Sequence, residues 1–113
     1  MSDQQLTTEL VLLIMGWKIA PGRYIKSGRS WTPMSQFKPL DRIADAFQLL
    51  ERAGAEYQLT AKGRSTFTAE VEIGCSKGKA SGPAKARVIT IAVARAVGIT
   101  VPAAVDGRKR NGI

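Results

Sequence analysis

The sequence predicts an α+β domain in which three helices pack with a small antiparallel sheet of two or three strands. Apolar residues recur at helical spacing in three segments, near the start, in the middle and toward the end of the chain. Between the second and third segments, apolar and polar residues alternate strictly, as in a half-buried strand. The length of 113 residues suits one domain. The predicted order is helix, basic loop, helix, two or three strands and helix, with the helices against the apolar face of the sheet.

The first helix is predicted from a capping box and an apolar stripe. Ser2 and Gln5 have the capping-box spacing, and Gly16 is a suitable terminator. The apolar residues at helical spacing are Leu6, Leu10, Leu13, Ile14 and Trp17. Together these features predict an amphipathic helix with a wide apolar stripe.

Residues 18–38 form a basic segment that is rich in proline and glycine. They include Pro21, Gly22, Gly28 and Pro33, and five basic residues without one acid. The Pro21–Gly22 pair between two short apolar stretches is compatible with a hairpin. Otherwise the segment is a long loop, and long loops inside compact domains are more often functional than not.

A second helix is predicted to begin at Pro39 and to close at Gly54. Asp41 and Asp45 fall near its start, where the helix dipole favours acidic side chains.

Strands are predicted at residues 56–60 and 66–73. The second strand has an apolar side and a polar side, which are Phe67, Ala69, Val71 and Ile73 against Thr66, Thr68, Glu70 and Glu72. Residues 74–78 are predicted as a turn, and residues 79–81 can add a short third strand. We expect the polar side of the sheet to be open, or covered only by the basic loop.

The last helix is predicted to start with Ser81 as its cap and Pro83 in its first turn, and to end at Gly98. It is the most hydrophobic of the three helices, which predicts a central buried position. The domain is expected to span residues 1–98, followed by a flexible basic tail over residues 99–113.

The sequence lacks the residues that most enzymes need. It has no histidine, and Cys75 is its single cysteine, so the usual general base and a zinc site are both missing. Glu70 and Glu72 lie on a predicted polar strand face, which indicates a solvated surface rather than an acid–base pair. No glycine-rich phosphate loop appears. We therefore predict a protein that is not an enzyme and has no cofactor.

No membrane segment is predicted. The longest apolar run, at residues 10–15, is far shorter than the about 20 residues that cross a bilayer, and acidic residues precede it where a secretory signal would carry lysines. The expected location is the cytoplasm.

The charge balance favours an anionic partner. Seventeen Lys and Arg against nine Asp and Glu give a net charge of +8, which promotes encounter with polyanions. In the basic segment, the candidate binding residues are Arg23, Lys26, Arg29, Tyr24 and Trp31. Cations interleaved with aromatic rings suit a nucleic-acid groove. Trp17 and Phe37, which flank the segment, are predicted as core anchors.

A second group of candidate binding residues precedes and enters the last helix. It consists of Lys77, Lys79, Lys85 and Arg87. A helix N-terminus offers unpaired backbone N–H groups, so cations beside it can complete an anion site. We expect this group and the basic segment to form one anion-binding surface.

Three segments resemble the phage ABA sandwich domain family over about residues 6–97. Residues 10–17 resemble its opening helix, which ends in Met-Gly-Trp, and residues 39–47 resemble its second helix. Residues 84–96 resemble its alanine-rich closing helix. The resemblance implies a small phage or prophage protein with helices on both faces of a small sheet. It implies no catalytic residues.

Residues 78–86 are similar in shape to one region of the double-stranded-RNA-binding domain. That fold places lysines at the start of its last helix, where they grip phosphates. Here Gly82 and Pro83 stand where paired lysines are expected, and an extra helix precedes the strands.

The sequence therefore favours a phage-type binding module that contacts nucleic acid or another phosphate-bearing ligand. The alternative is a phage accessory or anti-defence protein that binds and inhibits a host protein, with exposed aromatic residues such as Tyr24 and Trp31 as anchors.

Overall fold

The computed structural model describes residues 2–63 and 65–101 and shows three α-helices and two three-stranded antiparallel sheets. In chain order, the elements are α1 (Asp3–Leu10), a π-helical turn (Val11–Met15), β1 (Lys18–Ala20), β2 (Arg23–Ser27), β3 (Ser30–Pro33), a 3₁₀ turn (Met34–Gln36), α2 (Ile43–Ala53), β4 (Glu56–Lys62), β5 (Thr66–Ile73), β6 (Ser76–Gly82) and α3 (Lys85–Ala96). The predicted α+β class is confirmed.

The first helix has the predicted capping box, and after Leu10 it continues as a π-helical turn. The Ser2 side chain accepts a hydrogen bond from the Gln5 backbone, and the Gln5 side chain accepts one from the Ser2 backbone. The π-helical turn that follows adds a residue to the helical repeat. Met15 is therefore buried, whereas Leu12 and Leu13 are more than half exposed. The prediction that Leu13 belongs to the same apolar stripe as Leu6 is wrong for this reason.

Residues 18–38 form a sheet rather than a loop. Strands β1, β2 and β3 pair in sequence order, and we call them the N-terminal sheet. The predicted hairpin at Pro21–Gly22 is present. Its glycine has φ +73°, as in a type II turn with proline at the preceding position. A second two-residue turn at Gly28–Arg29 adds β3, which the sequence did not predict.

A buried aromatic cluster joins the N-terminal sheet to the first helix. The rings of Trp17, Tyr24 and Phe37 lie with centroids 5.1–6.4 Å apart. Gln4 on α1 donates a hydrogen bond from Nε2 to the Tyr24 hydroxyl at 2.8 Å. The predicted role of Trp17 and Phe37 as core anchors is confirmed, since both are buried.

The second helix begins at Ile43, later than predicted. Pro39 lies in a turn before it, where its carbonyl accepts a hydrogen bond from the buried Thr90 hydroxyl of α3 at 2.7 Å. The Asp45 carboxylate in the first turn accepts a hydrogen bond from the Lys38 backbone at 2.9 Å. These two bonds fix the chain before the helix, so the helix does not extend back to Pro39.

Strands β4, β5 and β6 form the C-terminal sheet, in that order. The strand predicted at residues 66–73 has the expected bounds and alternation. Ala69 and Val71 are buried on the side of α3, while Glu70 on the opposite side is exposed. No helix covers that opposite side among the described residues, so the expectation of an open polar face is confirmed.

Strand β6 is longer than the three residues predicted for it, and it includes residues that were expected in a turn and a cap. Gly78 lies in the strand directly beneath the backbone of α3. The Ser81 hydroxyl shares a hydrogen bond with the Thr68 hydroxyl across the sheet at 2.9 Å. Ser81 therefore does not cap α3, which begins after Ala84 without a side-chain cap. Pro83 precedes the helix.

Helix α3 is the central buried helix, as predicted, with nine of its twelve residues buried. Ile99 and Val101 are buried after it, although residues 99–113 were predicted as a flexible tail. Arg95 donates a hydrogen bond to the Val101 carbonyl at 3.1 Å and so holds this end of the described chain against the helix. The rest of the predicted tail, from residue 102 onward, lies outside the described residues. Within those residues, no helix combines the length and apolar character needed to cross a bilayer.

Candidate nucleic-acid interface

Strand register brings three of the basic segment's residues onto one face of the N-terminal sheet. Lys18 lies opposite Ile25, and Ile25 lies opposite Trp31. Residues that face each other across an antiparallel pair point to the same side, as do residues two apart in a strand. Lys18, Arg23 and Trp31 therefore share a side, and the buried Tyr24 points to the other. We call the four exposed cations of this sheet and of its Gly28–Arg29 turn, together with Trp31, the basic surface; the cations are Lys18, Arg23, Lys26 and Arg29, of which Lys18 and Arg23 share the side of Trp31.

Two of these cations lie over aromatic rings. The Arg23 guanidinium carbon is 5.1 Å from the ring centroid of Trp31, which is 52% exposed. Lys26 lies at an irregularity in the pairing of β2 with β3, and its Nζ is 5.2 Å from the ring centroid of Trp17. It therefore lies on the Tyr24 side of the sheet and does not share the face of Trp31. Such contacts stabilise the position of a cation without removing its charge.

The cations of the basic surface have no ion-pair partner among the described residues. Residues 18–38 contain no acid. Within residues 2–63 and 65–101, no carboxylate lies within ion-pair distance of these four cations. A surface that carries only positive charge attracts anions, and here internal ion pairs do not neutralise that charge.

Tyr24 is not available for binding, contrary to the sequence prediction. Its side chain is fully buried in the aromatic cluster, with its hydroxyl bonded to Gln4. Strand alternation separates it from its neighbours Arg23 and Ile25 by turning it to the core side. Trp31, the other predicted aromatic contact, is exposed as expected.

The second predicted group does not form one cluster. Lys77 and Lys79 project from β6 onto the open face of the C-terminal sheet, directly opposite Glu72 and Glu70. Lys79 Nζ lies 3.8 Å from a carboxylate oxygen of Glu70. These lysines border a shallow depression of about 490 Å³ whose lining includes three glutamates. Their charge is therefore balanced locally.

Lys85 and Arg87 lie on the other side of that sheet. Lys85 Nζ is 5.1 Å from the ring centroid of Phe67, whose side chain faces α3. The Arg87 guanidinium donates two hydrogen bonds to the Asp3 carboxylate of α1, at 3.2 and 2.5 Å. Lys77 and Lys79 lie within β6, which continues to Gly82, and they point to the open face of the sheet. Lys85 and Arg87 belong to α3, which packs on the other face.

Lys18, one of the five basic residues of residues 18–38, also belongs to the basic surface. Its position follows from the Pro21–Gly22 turn, since a hairpin centred there places Lys18 opposite Ile25. The turn that indicated a hairpin was thus also the signal for the position of Lys18 in the sheet.

The described residues define a class of protein: an α+β fold with two antiparallel sheets, one of which carries an exposed basic surface. A solved structure that shares this fold is that of a phage protein from Bacillus cereus ATCC 14579, with a TM-score of 0.72 and 17% sequence identity. The match covers 90% of this chain and 93% of that chain. No protein-family model matches the sequence, and no curated protein matches it. At this level of identity, the likeness shows a common fold.

Proposed function

We propose that this chain is a non-enzymatic binding module of a phage or prophage, acting in the host cytoplasm, that contacts nucleic acid through the basic surface. The observation that carries the proposal is the set of exposed cations of the N-terminal sheet that have no ion-pair partner among the described residues, with Arg23 over the exposed ring of Trp31. The phage assignment is supported by the fold shared with the Bacillus cereus phage protein and by the three segments that resemble the phage ABA sandwich domain family.

The chemistry of the surface suits a nucleic-acid backbone with a nearby base. Lysine and arginine side chains neutralise phosphates and release counterions, which makes binding dependent on salt. An exposed tryptophan offers a stacking platform for any base, because every base has a π face. Binding of this kind is tolerant of sequence, since phosphate contacts carry no sequence information.

A salt-dependent binding titration tests the proposal. The full chain is titrated with generic duplex DNA, single-stranded DNA and RNA at several salt concentrations. If about four phosphates are neutralised on a duplex, log K against log salt has a slope of about −3 to −4. The double variant Lys18→Ala/Arg23→Ala is expected to weaken binding at least about tenfold and to make the slope shallower by about 2.

The matched control removes two lysines whose charge is balanced by glutamates. Lys77→Ala/Lys79→Ala lowers the net charge by the same amount but leaves the basic surface intact. We expect it to keep binding within about threefold of the wild type. Equal losses in both double variants would mean that net charge, not this surface, drives binding, and would contradict the proposal.

A second candidate function is binding to a host protein, with inhibition of that protein as the effect. The adjacent Leu12 and Leu13 are 51% and 62% exposed on the π-helical turn, and Trp31 is also exposed. Exposed apolar residues of this size are typical interface anchors. Nucleic-acid binding that is absent, or that does not change with salt, would favour this candidate. Leu12→Ser/Leu13→Ser would then abolish capture of the host protein.

A further inference from the structure

Strand β4 offers an open edge to a further strand. It is seven residues long, it contains no proline, and its pairing with β5 runs without irregularity from Glu56 to Lys62. Six of its seven residues are exposed, and no other element among the described residues bonds to its outer edge. A long regular edge with free N–H and C=O groups is a template for pairing with another chain.

The other sheet edges carry features that discourage such pairing. Strand β1 is only three residues long, and β3 ends with Pro33, which cannot donate to a ladder. The Lys79 carbonyl of β6 accepts a hydrogen bond from Arg95 at 2.8 Å. The protection of these edges, and the lack of it at β4, points to β4 as an interaction surface.

We propose that the occupant of this edge is a second copy of the same chain, with the two β4 strands antiparallel and a two-fold axis at Leu59. The pairing would join the two C-terminal sheets into one continuous sheet. This inference does not depend on the proposed function, because β4 carries none of the basic surface.

Symmetry leaves few registers for this pairing. A two-fold axis perpendicular to the sheet keeps the same face of both copies on the same side, so the axis must pass through a residue position rather than between two residues. An axis at Leu59 pairs all seven residues of the strand, whereas an axis at Gln58 or Thr60 pairs only part of it.

The side chains of β4 are self-complementary in the Leu59 register. Glu56 of one copy lies opposite Lys62 of the other, twice per dimer, on the open polar face. On the helix side, Tyr57 lies opposite Ala61, and the two Leu59 side chains meet at the axis. Tyr57 is 51% exposed in the single chain, beside Phe47 of α2 at 5.9 Å between ring centroids. Opposite-charge and apolar cross-strand pairs both stabilise a sheet.

Charge reversal at the ends of the strand tests the pairing. The mass of the full chain in solution is measured by light scattering and sedimentation over concentrations up to about 100 μM, where a weak dimer is detectable. We expect a dimer whose Kd rises at least about tenfold in Glu56→Lys and in Lys62→Glu, because each change creates two like-charge contacts. The double variant Glu56→Lys/Lys62→Glu restores the opposite charges, and its Kd is expected within about threefold of the wild type.

A matched control is Glu9→Lys, which makes the same charge change at an exposed position on α1. It should leave the dimer unaffected. A wild-type chain that stays monomeric throughout the concentration range would overturn the proposal, and so would a dimer that is insensitive to both single reversals.

Disulfide trapping fixes the register independently. In a Cys75→Ser background, Leu59→Cys places two thiols opposite each other, with Cα atoms about 4.5–5.5 Å apart, which a disulfide can bridge. Ala61→Cys, on the same side of the strand, places them about four residues out of register, or roughly 13 Å apart along the strand. Rapid cross-linking at position 59 and not at position 61 is expected; equal or reversed efficiencies would contradict the Leu59 axis.

Discussion

At Gly78, the backbone of β6 lies against the backbone of α3. A Cβ atom at this position would overlap the Ala92 carbonyl oxygen and the Ala96 amide nitrogen. Backbone atoms cannot move aside as the end of a flexible side chain can, so helix and strand approach this closely only because residue 78 has no side chain. The sequence suggests a turn here because glycine is common in turns, and only the position of α3 reveals its packing role.

Gly78→Ala is therefore expected to destabilise the protein strongly. Overpacking typically costs about 1–3 kcal/mol, and the contact with backbone places this change at the upper end or above. Urea denaturation of the variant and the wild type measures the difference in the free energy of unfolding. Ser76→Ala, at an exposed position on the same side of β6, should change it by no more than about 0.5 kcal/mol. Similar values for the two variants would disprove the packing role.

Among the elements, α1 is joined to α3 by an ion pair between residues far apart in sequence. The Arg87 side chain is mostly buried, with 20% exposure, and the Asp3 side chain is half exposed. The two parallel hydrogen bonds give this pair better geometry than a typical surface ion pair. It therefore helps to position the first helix on the central one.

We expect Asp3→Asn to lower the free energy of unfolding by about 0.5–1 kcal/mol, the range for a partly exposed ion pair. Thermal or urea denaturation at low ionic strength measures the loss, which should shrink at high salt because the pair is screened. Asp41→Asn, at another exposed acid, serves as the control with the same charge change. Equal losses at both positions would show that the Arg87 contact contributes nothing specific.

The elements that sequence reasoning predicted well are those whose pattern is local. The alternation of residues 66–73 and the apolar density of α3 each identify one element without knowledge of the rest. Strand β3 and most of β6 escaped prediction, because β3 has only four residues and ends at Pro33, and because glycine, lysine and serine give β6 little strand character. Their strand structure comes from pairing with neighbours, as in the contact of Ser81 with Thr68.

At the scale of the whole molecule, repulsion among the excess cations lowers the stability of the folded state. The chain carries 17 Lys and Arg against nine Asp and Glu, and the basic surface gathers four of these cations without internal partners. Like charges held together in the folded state repel each other more than in the unfolded chain. Salt screens this repulsion over about 10 Å at 0.1 M.

Raising NaCl from about 10 to about 150 mM is therefore expected to raise Tm by a few degrees. The same change weakens the proposed nucleic-acid binding, so the two effects of salt have opposite signs. Differential scanning calorimetry measures the shift. In Lys18→Ala/Arg23→Ala, the shift should be smaller, because two of the repelling charges are gone. A Tm that falls with salt would contradict this account.

The sequence predicted which cations the candidate site contains, but not which of them lie close together. The absence of acids from residues 18–38 is visible in the sequence and correctly indicated a positively charged surface. Whether Lys77 and Lys79 join that surface depends on strand register, which places them opposite Glu72 and Glu70. The side to which Tyr24 points likewise depends on the sheet that only the folded chain defines.

The two tryptophans give this molecule a pair of built-in optical probes. Trp17 is enclosed, with 7% exposure, among Tyr24 and Phe37, and Trp31 stands in solvent at the opposite face of the same sheet. Emission from the enclosed indole should be blue-shifted and change only on unfolding. Emission from the solvated indole should be red-shifted and accessible to quenchers such as acrylamide. With either residue replaced by phenylalanine, the remaining signal would follow folding or surface occupancy separately, without an attached dye.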